Sequence, residues 1–180
     1  LSRVLLSQAS RQATGSLIAH VGQKMKIEIR DTLVEEADTL SDIRMRSKGH
    51  WGYSRETLET WRAAMVVTAA YIHSATVRSI FVDGCLVGFY ALKKEDGLLD
   101  HLWLVPEVIG KGVGRFAFAH ACSVAHGIGM QTLLIISDVD AAGFYVKMGA
   151  EKVGEFYSPH QNRMLPKYLF CISDESPETK

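Results

Sequence analysis

The 180-residue chain is predicted to fold as one α/β domain, a mixed sheet with helices on both faces. Three observations carry this expectation. Hydrophobic residues make up 47% of the chain, enough to bury one sizeable core. Strand-like segments come first as an antiparallel run around Asp83-Gly84, then alternate with helix-like segments. A turn with glycine at every second position, Gly110 to Gly114, links an apolar strand pattern directly to a helix pattern.

The first strand pattern is Lys-Ile-Glu-Ile-Arg over Lys26–Arg30. Thr32–Ile43 reads as a short helical stretch, followed by a polar, aromatic loop over Arg44–Tyr53. Ser54 is placed to cap a longer helix, because Leu58, Trp61, Met65, Thr68 and Ile72 recur at steps of three and four. Val77–Val82 and Cys85–Leu92 flank Asp83-Gly84, a dipeptide that accepts positive φ at both centres of a tight hairpin. Glu95-Asp96-Gly97 turns the chain into a strand over Leu98–Val105. After the glycine turn comes a helix over Phe116–His126, with Val113, Phe116, Ala117, Ala121 and Val124 on one stripe, ended by Gly127 and Gly129. Thr132–Ser137 is a short apolar strand of the buried kind. Asp140 caps the next helix, which Gly149 stops, and strands near Glu151–Tyr157 and Met164–Ile172 complete the pattern.

The ends read differently. Residues 1–24 carry Arg3, Arg11 and Lys24 but no acid, and they read as an extension outside the folded core, with the domain over 25–172. Residues 173–180 form a polar tail. With 20 basic and 20 acidic residues the chain has no net charge, which argues against a nucleic-acid or membrane partner. Cys85, Cys122 and Cys171 are odd in number and lack paired spacing, so neither a disulfide framework nor a metal site is expected and a reducing cytoplasm fits.

Chemistry concentrates in Val105-Pro-Glu-Val-Ile-Gly-Lys-Gly-Val-Gly-Arg115. Alternate glycines let the backbone approach a ligand, and the helix that follows aims unpaired N–H groups and a positive dipole end into the turn. This is a phosphate cradle. The spacing is not that of a nicotinamide-dinucleotide fingerprint, and no Ser or Thr follows a Gly-Lys pair as an ATP-type loop requires. Some thirty residues on stands a second motif, Ala141-Ala-Gly-Phe-Tyr-Val-Lys-Met-Gly-Ala150.

Together the two motifs resemble the GNAT superfamily of acyl-CoA-dependent N-acetyltransferases, over roughly Met25 to Ile172. The resemblance implies a central sheet splayed apart beyond the glycine-loop strand, with the pantetheine arm of acetyl-CoA in the gap. It implies cofactor contacts from Trp103, Leu104, Val105, Ile109, Gly110, Lys111, Gly112, Val113, Gly114, Asp140, Phe144 and Tyr145. Two positions depart from the family's pattern. Ile109 stands where Gln or Arg is usual and offers only its backbone N–H, and Asp140 stands where Asn is usual and cannot donate from its side chain.

The implied reaction is direct acetyl transfer from acetyl-CoA to a primary amine. The family polarises the acyl carbonyl with a backbone N–H at the end of the preceding strand, here Leu104 or Val105, a donor worth ~3 kcal/mol. Tyr145 is the candidate partner of the leaving sulfur, although tyrosine, with a pKa near 10, is a weaker acid than a thiol near 8.5. The amine must lose a proton, and Asp100 is the candidate base, since strand alternation puts it with Leu102 and Leu104 and sends His101 and Trp103 to the other face. Aromatic loops at His50–Tyr53 and Tyr157–Asn162 supply candidate acceptor walls, with Trp51 and Tyr53 foremost, for a small-molecule or peptide amine. The oligomer is expected to be a monomer or homodimer. A catalytically silent acyl-CoA-binding module is the alternative reading.

Overall fold

The structure, a computed structural model, describes residues 25–172. The proposed extension 1–24 and tail 173–180 lie outside the described residues. Among the described residues there are seven strands: β1 (Ile27–Asp31), β2 (Thr76–Val82), β3 (Cys85–Lys93), β4 (Leu98–Leu104), β5 (Thr132–Ile136), β6 (Glu151–Ser158) and β7 (Arg163–Cys171). They form one sheet in the order β1-β2-β3-β4-β5-β7-β6, antiparallel throughout except between β4 and β5. Five α-helices among the described residues surround it: α1 (Ala37–Gly49), α2 (Arg55–Trp61), α3 (Ala69–Ser74), α4 (Val113–Gly127) and α5 (Ala142–Lys147).

The hairpin at Asp83-Gly84 forms as its residues dictate. Both carry positive φ, 50° and 81°, and Val82 pairs directly with Cys85. Leu40 and Ile43 on α1 and Val113, Ala117, Phe118, Ala121 and Ala125 on α4 are all buried. The two helices cover opposite faces of β3 and β4. Phe89 and Trp103 face α1 and α3, where Arg44 lies over the Trp103 ring and Tyr71 meets the His101 ring beside Phe89. Tyr90 points the other way, to His120 of α4. Coverage on both sides explains why Val87 to Leu92 is buried without a break.

The long helix expected from Ser54 to Ile72 is instead α2, a 3-10 turn over Arg62–Met65 and α3. Thr68, taken as an interior position, turns the chain out of the helix. Its side chain accepts the Tyr71 N–H and starts α3, while the Ser41 hydroxyl captures the Val67 N–H at 2.8 Å. Local capping overrode a correct apolar period. The first helix also runs past Ile43 to Gly49, absorbing half of the expected loop. Beyond Ile43 its inward face is polar, so apolar spacing does not reveal it: Arg44, Ser47 and Lys48 are all buried.

The β4–β5 contact positions the site. These parallel strands pair only at Leu98 and Leu134, with Leu134 N–H donating to Gly97 O at 2.8 Å. Beyond that point they separate. The sheet is splayed, as the resemblance implied, and β4 and β5 become the two walls of a wedge.

Candidate active site

A cavity of about 450 Å3 occupies the wedge. Its walls come from β4, the end of β5, the α1 side chains Ser47 and Lys48, the glycine loop, and Phe144 and Tyr145 of α5.

The glycine loop closes one end. After Val105 a 3-10 turn runs over Pro106–Val108, with Ile109 N–H bonded to Pro106 O at 3.1 Å. Gly110 and Gly112 have φ of 78° and 86°, and a Cβ added to either would point into empty space. The loop is therefore bare on its open side. In the first turn of α4 the N–H groups of Val113, Gly114 and Arg115 precede the first helical bond, from Phe116 N–H to Gly112 O at 3.1 Å, and lack intrahelical acceptors. Val113 buries its side chain completely and offers the loop only its backbone. Gly114 packs close: a Cβ there would stand 3.4 Å from the Phe144 ring. A diphosphate fits this cradle, because its oxygens can meet converging N–H groups at a positive helix end without passing a side chain.

The β4 backbone separates the two candidate carbonyl donors. Val105 gives its N–H to Val87 O at 2.8 Å, so that group is already used. In an antiparallel ladder the neighbouring pair, Gly88 with Leu104, then turns its N–H and C=O groups outward. Leu104 thus aims its N–H into the gap, and Val105 does not.

Asp100 lies where alternation fails. Ala91 pairs with His101 but Leu92 pairs with Leu99, which leaves Asp100 as the extra residue of a β-bulge. Asp100 and His101 therefore do not divide between faces as expected. The Tyr71 hydroxyl donates to Asp100 at 2.6 Å while the Tyr71 ring lies 5.2 Å from the His101 ring. Lys93 lies 3.1 Å from the same Asp100 oxygen. Burial alone would raise the Asp100 carboxyl, but His101, Tyr71 and Lys93 outweigh it and hold it below the usual range. Burial, reinforced by Arg44, pushes His101 down to about 4. At neutral pH the pair is an ionised carboxylate beside a neutral imidazole.

Tyr145 is buried against Phe118, Phe144 and Tyr168, yet it lines the cavity. Burial raises its pKa, which weakens it as an acid and leaves it suited to donate a hydrogen bond without losing its proton. The expected cap at Asp140 is corrected by two residues. Asp138 caps the 3-10 turn over Val139–Ala141 that leads into α5, accepting the Asp140 N–H at 3.4 Å.

These features coincide with a family-wide pattern: the model of the Acetyltransferase (GNAT) family matches residues 37–150. The chain belongs to that family. A peptidyl-lysine N-acetyltransferase, YjaB of Salmonella typhimurium, is 37% identical over 68 residues. That match covers 38% of this chain and 44% of the relative, so the chain spans less than half of the curated relative it matches. Among solved structures, a GCN5-related N-acetyltransferase from Rhodopseudomonas palustris superposes with a TM-score of 0.69 at 22% identity, covering 83% of this chain and 98% of that one. The PaiA N-acetyltransferase of Thermoplasma acidophilum, solved with coenzyme A, gives 0.67 at 21% identity, covering 81% and 99%. Both likenesses show the fold. Acetyl-CoA is the donor that membership of an acetyltransferase family implies, and the bare glycine loop fits its diphosphate.

In this GNAT domain the expected acceptor walls divide. Trp51 lines the cavity and is 37% exposed. The Tyr53 hydroxyl is committed elsewhere: it accepts from Arg163 at 2.7 Å and donates to Asp140 at 3.0 Å, and burial first, then Asp138 and Asp140, push its pKa up to about 12 against the opposing pull of Arg163. Sequence reading missed the group that holds it. Lys48, 1% exposed, forms an ion pair with Asp138, donates to Gln161 at 3.1 Å and lies 4.8 Å from the Trp61 ring centre. Arg163 donates to Asp138 at 3.0 Å and to Gln161 at 2.7 Å. These side chains strap α1, the loop before α2, the end of β5 and the β6–β7 turn together across the wedge. The one sequence signal was Asp138 beside Asp140 before a helix, which was read for its cap alone. Of the residues expected to touch the cofactor from the loop and α5, Ile109, Asp140 and Phe144 line the cavity and Lys111 does not.

Proposed function

We propose that this chain transfers the acetyl group of acetyl-CoA to a primary amine by direct attack. The observation that carries the reading is the wedge, where a bare glycine cradle at one end meets an outward Leu104 N–H on its wall. Acetyl-CoA supplies the acyl group as a thioester. The N–H groups of Gly110, Gly112, Val113 and Gly114 hold its diphosphate, and Phe144 and Tyr145 shape the path between the walls. Leu104 N–H takes the oxygen on which negative charge develops. Tyr145 donates a hydrogen bond towards the leaving sulfur. Asp100 receives the amine's proton, directly or through water.

The acceptor is a small-molecule or peptide amine entering beside Trp51. The YjaB relative is named for peptidyl-lysine, which makes a lysine side chain one acceptor to include. No helix among the described residues is long and apolar enough to cross a membrane, and the three cysteines are free. We place the protein in the cytoplasm, as a monomer or homodimer.

The test has two readouts. Acetyl-CoA should raise the melting temperature, and an amine panel should release free thiol at a rate that depends on the amine. A melting shift with no thiol release from any amine would favour the silent acyl-CoA-binding module.

A further inference from the structure

Arg44 is a charged side chain whose Nε has no hydrogen-bond acceptor among the described residues. It projects from α1, is 8% exposed, and stands 5.6 Å from the Trp103 ring centre. Its Nε and the indole Nε1 of Trp103 are both sealed from solvent, and neither has a hydrogen-bond partner among the described residues. Two such orphans side by side are uncommon, since buried donors are almost always paired. A guanidinium out of water demands an acceptor more strongly than any neutral group does.

The surroundings say which acceptor. Trp103 lines the wedge, and so does Ser47, one turn along α1 from Arg44, while Arg44 itself stands behind that lining against the Trp103 ring. The diphosphate cradle is further on, beyond Leu104, so acetyl-CoA's phosphates are held elsewhere. Asp100, the nearest carboxylate on β4, gives one oxygen to Tyr71 and Lys93 and none to Arg44. The Arg44 guanidinium and the Asp100 carboxylate therefore attract one another electrostatically without a hydrogen bond between them. That arrangement matches a ligand carrying both charges, with its ammonium end at Asp100 and its anionic end at Arg44. The planar fork of a guanidinium suits a carboxylate, which it binds through two parallel N–H groups.

We propose that Arg44 and the Trp103 indole N–H form a carboxylate-binding subsite of the acceptor pocket, so that the preferred acceptor is a primary amine bearing a carboxylate a few bonds away. The proposal rests on the acetyltransferase reading above and names the class of acceptor for it.

Steady-state rates on glycine, β-alanine and 4-aminobutyrate, each against its primary amide, test the proposal, with a lysine-containing peptide blocked at both ends as a further acceptor. The full chain should prefer at least one acid over its amide by ~10–100-fold in kcat/KM, the range for losing a charge-assisted pair. Arg44→Gln should bring that ratio close to one, mainly through KM, while the acetyl-CoA melting shift persists. Trp103→Phe keeps the ring and removes only the N–H, so it should lower the same ratio by a few-fold even if Arg44→Gln does not fold. Equal use of acids and amides overturns the proposal, as does a blocked peptide that equals the best acid. Equal losses on acids and amides in the folded variants overturn it too. Should no amine turn over while acetyl-CoA still raises the melting temperature, the subsite stands only if the free acids add a further rise that their amides do not. Absence of any acetyl-CoA effect would instead sink the underlying reading.

Discussion

Tyr145 and Asp100 have opposite environments, and their variants should differ accordingly. Tyr145→Phe keeps the ring packed on Phe118, Phe144 and Tyr168 and removes only the hydroxyl, so acetyl-CoA affinity should hold. Turnover should fall by ~10–1000-fold if that hydroxyl steadies the leaving sulfur, and raising the pH should not restore it. Asp100→Asn should be largely rescued at high pH, where free amine is abundant. Paired pH–rate profiles on one acceptor separate the two roles. Full activity of Tyr145→Phe would make the tyrosine a packing residue. At Gly112 the argument is steric. With φ at 86° and open space over its Cα, valine there should cost about 1–2 kcal/mol of stability from backbone strain and place a branched side chain where the diphosphate must lie. The folded variant should show no acetyl-CoA melting shift. A shift equal to the parent's would remove the cradle assignment.

Among the elements, α1 has a larger part in the site than its polar sequence suggests. Its face carries Leu40 and Ile43 into the core, buries Arg44 next to them, and brings Ser47 and Lys48 to the wedge. Lys48 is the centre of the strap that crosses to Asp138 and Gln161. Removing one partner of a buried pair leaves the other charge uncompensated. Lys48→Met should therefore cost about 3 kcal/mol, towards the lower end of that class because Arg163 still reaches Asp138. Urea unfolding checks the value, and a loss below ~0.5 kcal/mol would show the strap to be no more than a surface pair. The strap also has a pH signature. Burial alone would raise the Asp138 carboxyl, but Lys48 and Arg163 more than reverse this and hold it below the ordinary value. Its contribution is therefore complete above the unfolded pKa of ~3.9 and lost as pH falls through the lower folded value.

For the molecule as a whole, His101 sets stability in a higher pH window. Its folded pKa of about 4 is depressed by burial between β4 and α3, against ~6.5 when unfolded. Between those values the unfolded chain binds the extra proton, so stability should be full above ~6.5 and fall steadily towards pH 4. His101→Gln should flatten that slope without moving the acid limb due to Asp138. Melting temperatures from pH 4 to 7.5 give the comparison, and an unchanged slope would place the titration elsewhere. The wedge is likewise a property of the whole sheet. β4 and β5 hydrogen-bond at one pair of residues, while β3 secures one wall and β7 the other. The gap persists because each wall is paired on its far side.

Some of this was present in the chain's own pattern. Positive-φ demands at Asp83-Gly84, Gly110 and Gly112 are local, so the hairpin and the cradle could be read directly from residue type. The strands, the α4 stripe and the mixed sheet followed from periodicity, because burial on one face repeats at a fixed step. What only the tertiary structure decided depended on partners distant in sequence. The bulge that puts Asp100 and His101 together arises from pairing with Ala91 and Leu92 on another strand. The choice of Leu104 over Val105 depends on the ladder with Val87. Thr68 broke a correct apolar period because a hydroxyl from α1 held the preceding turn open. Lys48, Arg44 and Arg163 look like solvated charge in the sequence. Each acquires its role from groups at least twenty-five positions away, and linear spacing carries no trace of a contact made across that distance.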